Sequence, residues 1–229
     1  MKDKAKEYAA RLMLLFIGLI VAHLGVTLFL LSDMGADPFN VLIQGLHNLS
    51  VKAVSEKLTH GTVHIAVSFL IILILLIADK SYIKAGTIVC MFCGGPIIDF
   101  FNYLLAGLHI SEMPMAGKVA VLVAGCVILA FGMTIVIRSE AGTGPNDLVA
   151  VVISDKSKKR FGVVRILTDC VFVSAGAALG GKFGAGTLIC AFLVGPVADM
   201  FMPAASKLVS GGLKLMRVPQ TSAADNNEK

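Results

Sequence analysis

Apolar residues in this chain do not alternate with polar ones. They come in six long runs, at about residues 12–31, 61–79, 86–106, 117–137, 162–180 and 185–205. Each is close to the ~20 residues that a helix needs to cross a hydrocarbon layer. Two shorter apolar stretches, Pro38–Leu49 and Pro145–Asp155, are too short to span and suit re-entrant or interfacial helices. Proline fits the first turn of each, because its missing N–H would be unpaired there anyway. Asp37 is placed to cap the first, and Gly144 is a weaker cap for the second. The pattern predicts an all-α membrane protein with six transmembrane helices and a short helix after the first span of each half.

The two halves are copies. Ala85–Phe101 and Ala185–Phe201 agree at nine of seventeen positions, among them Gly86/Gly186, Gly95-Pro96/Gly195-Pro196 and Asp99/Asp199. The stretch from Ser32 to Asn40 likewise matches that from Ser139 to Asp147. A duplication decides architecture before any local reading does. Residues 12–110 then form a first repeat and 111–206 a second, flanked by an N-terminal segment, 1–11, and a partly disordered tail, 207–229. Each repeat holds an odd number of spans, so the second copy is expected to run upside down relative to the first.

Charge sets the expected orientation. Fifteen lysines and arginines fall on the side of the N-terminus and four on the other, which predicts that both termini are cytoplasmic. The basic N-terminus runs into an unbroken apolar stretch with no small-residue cleavage site, and so reads as a first span, not a cleaved signal.

Composition agrees: 56% of the 229 residues are hydrophobic and the mean hydropathy is +0.84, more than a soluble domain of this length can bury. The net charge of +5 belongs to the inner loops and does not imply nucleic acid. The basic loop 154–161 is either a topology signal attracted to anionic headgroups or a docking segment for a partner. The five cysteines all lie in apolar runs. Leu193 stands where the copy has Cys93, so Cys90-x-x-Cys93 is expected to be packing, not a metal site. There is no P-loop, G-x-S-x-G or H-E-x-x-H pattern, and neither an enzymatic activity nor a cofactor is expected.

The candidate site residues are polar or helix-disturbing groups inside apolar runs, where each is costly. Asp99 and Asp199 are either helix caps in headgroup water or an ion, proton or substrate site, each expected near the motif of its own repeat. Pro96 and Pro196, after Gly95 and Gly195, mark either kinks or helix breaks at a binding site. Arg165 and Asp169 stand four apart, so they can pair on one helix face; their counterparts are His64 and Ser68. The other reading sends Arg165 to the inner surface. Asp37, Pro38 and Asn40, with Pro145, Asn146 and Asp147, place carboxylates, amides and free N–H groups at two helix starts. There the dipole favours anions and the carboxylates favour cations. His23, whose counterpart is Ala130, reads as a packed polar residue.

The duplicated Gly35-Ala36-Asp37-Pro38-Phe39-Asn40 and Gly142-Thr143-Gly144-Pro145-Asn146-Asp147, with the paired Gly-Pro-x-x-Asp, resemble the bacterial YczE/YyaS/YitT-type multipass membrane proteins over most of residues 12–205. The first motif departs from that pattern by carrying Asn40 where the family has an aspartate. The resemblance implies a bacterial inner-membrane location. The residues favour a small secondary permease for an unknown solute or ion, in contact with the lipid bilayer and compatible with a homo-oligomer. The alternative is a membrane-embedded regulator or assembly factor.

Overall fold

In the computed structural model, residues 2–53, 58 and 60–216 are described, and among them all regular structure is helical. Eight α-helices follow in order: α1 (Lys2–Leu31), α2 (Pro38–Ala53), α3 (His60–Asp79), α4 (Ala85–Leu105), α5 (Met115–Arg138), α6 (Pro145–Ser157), α7 (Phe161–Ala178) and α8 (Ala185–Leu215). Six of them (α1, α3, α4, α5, α7 and α8) are long and apolar enough to cross a membrane. They sit on the six expected runs. α8 continues to Leu215, past the end that hydropathy gives it, so the start of the assigned tail is helix. Residues 217–229 lie outside the described part.

The centre of the bundle is the crossing of α1 and α5, and glycine makes it close. A Cβ at Gly25 would stand 2.3 Å from the Leu129 amide nitrogen, and one at Gly132 2.2 Å from that of Ala22. Gly18 and Gly125 complete the contact, each with its would-be Cβ 2.9 Å from an atom of the other helix. Small residues let helix backbones approach this closely, and in a membrane it is packing, not the expulsion of water, that drives such association. Around the crossing, Phe29, Leu122, Cys126, Ala130 and Met133 pack with Val164 of α7 and Val194 and Ala198 of α8.

After α1 and after α5 the chain makes the same turn twice. Asp33 and Glu140 take φ of 54° and 57°, and Gly35 and Gly142 both take 135°. The buried hydroxyls of Ser32 and Ser139 close the preceding turn on the carbonyls of Phe29 and Val136, each at 2.6 Å. Each loop then receives an amide from the other copy: Gly86 N–H donates to Ala141 O and Gly186 N–H to Met34 O, both at 2.9 Å. This is why Gly86 and Gly186 recur. A Cβ at Gly86 would meet the Ala141 carbonyl oxygen at 2.4 Å.

Neither proline of the Gly-Pro pairs breaks its helix. α4 runs through Pro96, and α8 runs through Pro196 and Pro203. Both Pro96 and Pro196 lie on exposed faces. A proline removes a single ladder bond, and the remaining turns carry the helix past it. Of the two readings of Gly95-Pro96 and Gly195-Pro196, kink or break, the helix break is absent. The interruptions lie instead at the two loops before α2 and α6.

Candidate functional site

The two short helices begin against α7, one at Phe172 and one beside Arg165, and run along it in opposite directions. Phe39, in the first turn of α2, meets Phe172 edge-on at 5.5 Å. Further along, Gly45 packs on the Gly176 carbonyl, and Asn48 Nδ2 donates to Gly180 O at 2.8 Å beyond the end of α7. α6 instead starts beside Arg165 and ends three residues before α7 begins. Its Lys156 reaches Asp79 at the end of α3, at 3.4 Å.

The local sequence explains both starts. Asp37 Oδ1 accepts from the Asn40 amide at 3.2 Å, and Asp37 Oδ2 accepts from Asn40 Nδ2 at 2.5 Å, an N-cap reinforced by the side chain it caps. At α6, Gly144 offers no side chain. Asn146 and Asp147 curl back instead, their oxygens 3.1 and 3.9 Å from where its Cβ would be. Pro38 and Pro145 each open their helix and are buried.

Between these two starts lies a buried ion network. Arg165 Nε donates to Asp169 Oδ2 at 3.0 Å, as the spacing of four predicts. Its Nη1 also donates to Asp147 Oδ1. Arg165 is 6% exposed and Asp169 not at all, so the guanidinium does not reach for the surface. Asp37 and Asp147 both lie within electrostatic reach of Asp169, and Asp147 within reach of His23. His23 holds the Leu19 carbonyl through Nδ1 at 2.8 Å. Its ring lies over Gly94, whose Cβ would stand 2.6 Å from Nε2. The counterpart positions, Ala130 and Val194, reverse the sizes and pack in the core.

Asp37, Asp147, Arg165 and Asp169 are thus drawn together, with Pro38, Asn40, Pro145 and Asn146 framing them. The Gly-Pro pairs and their acids are elsewhere. Asp199 accepts the Gly162 amide at 2.9 Å, in the first turn of α7. It shares a cleft of about 530 Å³ with Arg138, Asp155 and Arg160, at the far end of α6 from Pro145. Asp99 is exposed on α4. The expectation that each acid sits by the start of its own repeat's short helix fails, because Asp199 lies at the end of α6, not its start, and α4 turns Asp99 outward. A second cleft of about 530 Å³, lined by Asp33, Lys118, Lys182 and the loop at Gly35, opens beside the first motif.

Among the described residues, no group of three His, Cys, Asp or Glu side chains is placed to hold a metal ion. The five cysteines are free. Sequence reasoning missed Asp147 as the second partner of Arg165, Gly162 as the partner of Asp199, and the glycines of the α1–α5 crossing. The last had a signal: Gly18 and Gly25 recur as Gly125 and Gly132 with the same spacing of seven.

An all-helical bundle with six spans and polar groups gathered inside it defines a multipass membrane protein. The chain belongs to a family of unknown function, DUF6198, which it matches over residues 9–203. It is 26% identical over 206 residues to a Bacillus subtilis protein titled uncharacterized membrane protein YczE, covering 90% of this chain and 91% of the relative. It is 27% identical over 190 residues to a second protein of that species, titled uncharacterized protein YyaS, covering 82% and 90%. An uncharacterized Haemophilus influenzae protein is 23% identical over 195 residues, covering 85% and 84%. No solved structure matches the chain.

Proposed function

We propose that the chain is a small secondary permease whose two copies act as inverted halves rocking about the Arg165 cluster. The observation that carries this reading is the pair of shorter helices, of 16 and 13 residues. α2 and α6 start beside the buried Arg165–Asp147–Asp169 network and leave in opposite directions along α7. Discontinuous helices whose starts face a mid-depth site, in halves of odd span number, are how many transporters build a binding site. In this reading α2 and α6 are re-entrant, and the basic loop 156–160 lies in the cytoplasm of a bacterial cell.

Two equivalent helix pairs support this reading by differing. α7 and α8 are joined by Gly162–Gly195 and by Asp199, whereas the equivalent Gly95 has nothing within 4 Å and Asp99 is exposed. With the loop at 156–160 inside, the closed pair is the inner one and the separated pair the outer one. Transport would exchange them, with Asp99 taking the role at α3 that Asp199 has at α7.

The test is flux in liposomes holding the purified protein, screened against small cationic, anionic and zwitterionic solutes. One solute class should enter with wild type and not with Arg165→Gln. Entry of none, or equal entry with Arg165→Gln, removes the reading. The regulator reading rests on one observation, the exposure of residues 155–160. A protein that co-purifies with wild type, and is lost when Lys158, Lys159 and Arg160 are neutralised, would favour it.

A further inference from the structure

The central cluster has more acid than base. Asp147 and Asp169 both bond the Arg165 guanidinium and Asp37 lies within electrostatic reach of Asp169, so if all three are ionised two negative charges lack a countercharge inside the bundle. Two of the three carboxylates are provided for. Asp37 takes both Asn40 donors, and Asp147 takes Arg165 Nη1 with 20% of its side chain exposed. Asp169 differs. Its Oδ2 takes Arg165 Nε, but its Oδ1 is fully buried and has no hydrogen-bond partner. An ionised oxygen in that position is heavily penalised, because no protein donor replaces its lost hydration.

We infer that Asp169 is a proton-binding site at the centre of the bundle. This deepens the permease reading, and rests on it where it names the proton as the coupling ion. The geometry selects the proton among cations. Oδ1 has no surface that a water-sized sphere can touch, so a hydrated ion has no room there, and no three-ligand metal group stands nearby among the described residues. A proton adds no volume.

When the packing over Oδ1 opens transiently, a hydronium ion gives up one O–H bond as an O–H bond forms on Oδ1, leaving water and a neutral Asp169. Its attraction to Arg165 falls to that of a neutral acceptor, which leaves Arg165 to Asp147. Loss of the proton to water restores the three-membered network. The groups facing Asp169 are Arg165 on its own helix, Asp37 before α2, Asp147 on α6 and Cys190 on α8. Protonation of Asp169 thus bears on the starts of both short helices at once, through Arg165 and Asp147 on one side and through Asp37 on the other.

Infrared difference spectra of the purified protein, taken across a pH titration, test this without any transported solute. A protonated-carboxyl C=O band should appear on acidification in wild type and in Glu112→Gln, an exposed-loop control, and be lost in Asp169→Asn. If Asp169→Asn does not fold, Asp169→Glu serves, and the band should shift in frequency. A titrating band that Asp169→Asn or Asp169→Glu leaves unchanged, or no titrating carboxyl in wild type, overturns the inference. Because the band is read on the protein alone, absence of flux would count against the permease reading and not against protonation of Asp169.

Discussion

The pair α7–α8 and the pair α3–α4 are built from matching sequence and behave differently. In the first, Gly162 and Gly195 touch backbone to backbone, each with its would-be Cβ within 2.6 Å of the other's carbonyl oxygen. Asp199 fastens the contact by accepting the Gly162 amide. In the second, Gly95 meets nothing and Asp99 is exposed. Only 11% of the apolar stretch of α3, and of α4, is buried, against 44% in α7 and 33% in α8. The difference teaches that a duplicated motif supplies the means for a contact and does not oblige it. What fixes α7 is the rest of its surroundings: α2 along its C-terminal half, α6 at its start, and the Arg165 network that ties it to both.

The largest test of the contrast removes that tie. Arg165→Ala strands Asp169 as a buried, unpaired charge, and should cost about 3–5 kcal/mol. His64→Ala, at the equivalent place on α3, removes a ring contact with Phe39 at 5.4 Å and should cost clearly less. Thermal unfolding in detergent compares the two, and equal losses would break the contrast. Next, Gly195→Ala forces a methyl against the Gly162 backbone and should destabilise by about 1–3 kcal/mol. Gly95→Ala meets open space, so helix propensity should make it neutral or stabilising by up to ~1 kcal/mol.

A smaller effect is expected at the acids. Asp199→Ala removes the acceptor for a first-turn amide of α7, worth about 1 kcal/mol, whereas Asp99→Ala should leave the melting temperature unchanged. The mildest test perturbs nothing. Spin labels on the exposed, equivalent pairs Val163/Met200 and Thr62/Phe100 should report a short, narrow distance for the first and a longer one for the second. Adding Asp199→Ala should broaden the first. Identical distributions in the two pairs would dissolve the distinction.

Much of this was legible in the residues, where the physics is local. Run length located the six spans, and a proline after Asp37 located the start of α2 and its cap. A spacing of four paired Arg165 with Asp169. Contacts across the bundle were not legible. Asp147 reaches Arg165 only because α6 folds back along α7, and Asp199 finds Gly162 only because α8 packs there. Pro96 and Pro196 misled for a related reason. Sequence records the bond that proline removes, and says nothing of the face on which it stands or of the turns that bridge it. The close crossing of α1 and α5 lay between these cases, visible in a spacing of glycines that only a comparison of the copies picks out.

The amide of Gly86 ends on the carbonyl of Ala141, and that of Gly186 on Met34. For a chain made from its N-terminus onward this sets an order of assembly. When α4 leaves the ribosome its first turn has no acceptor, and it must wait for the whole of α5 and the loop behind it to be synthesised. The last helix, by contrast, arrives to find Met34 already in place. The start of α4 therefore finds its acceptor only in the second copy, and a chain truncated after α4 would lack the loop on which that helix comes to rest.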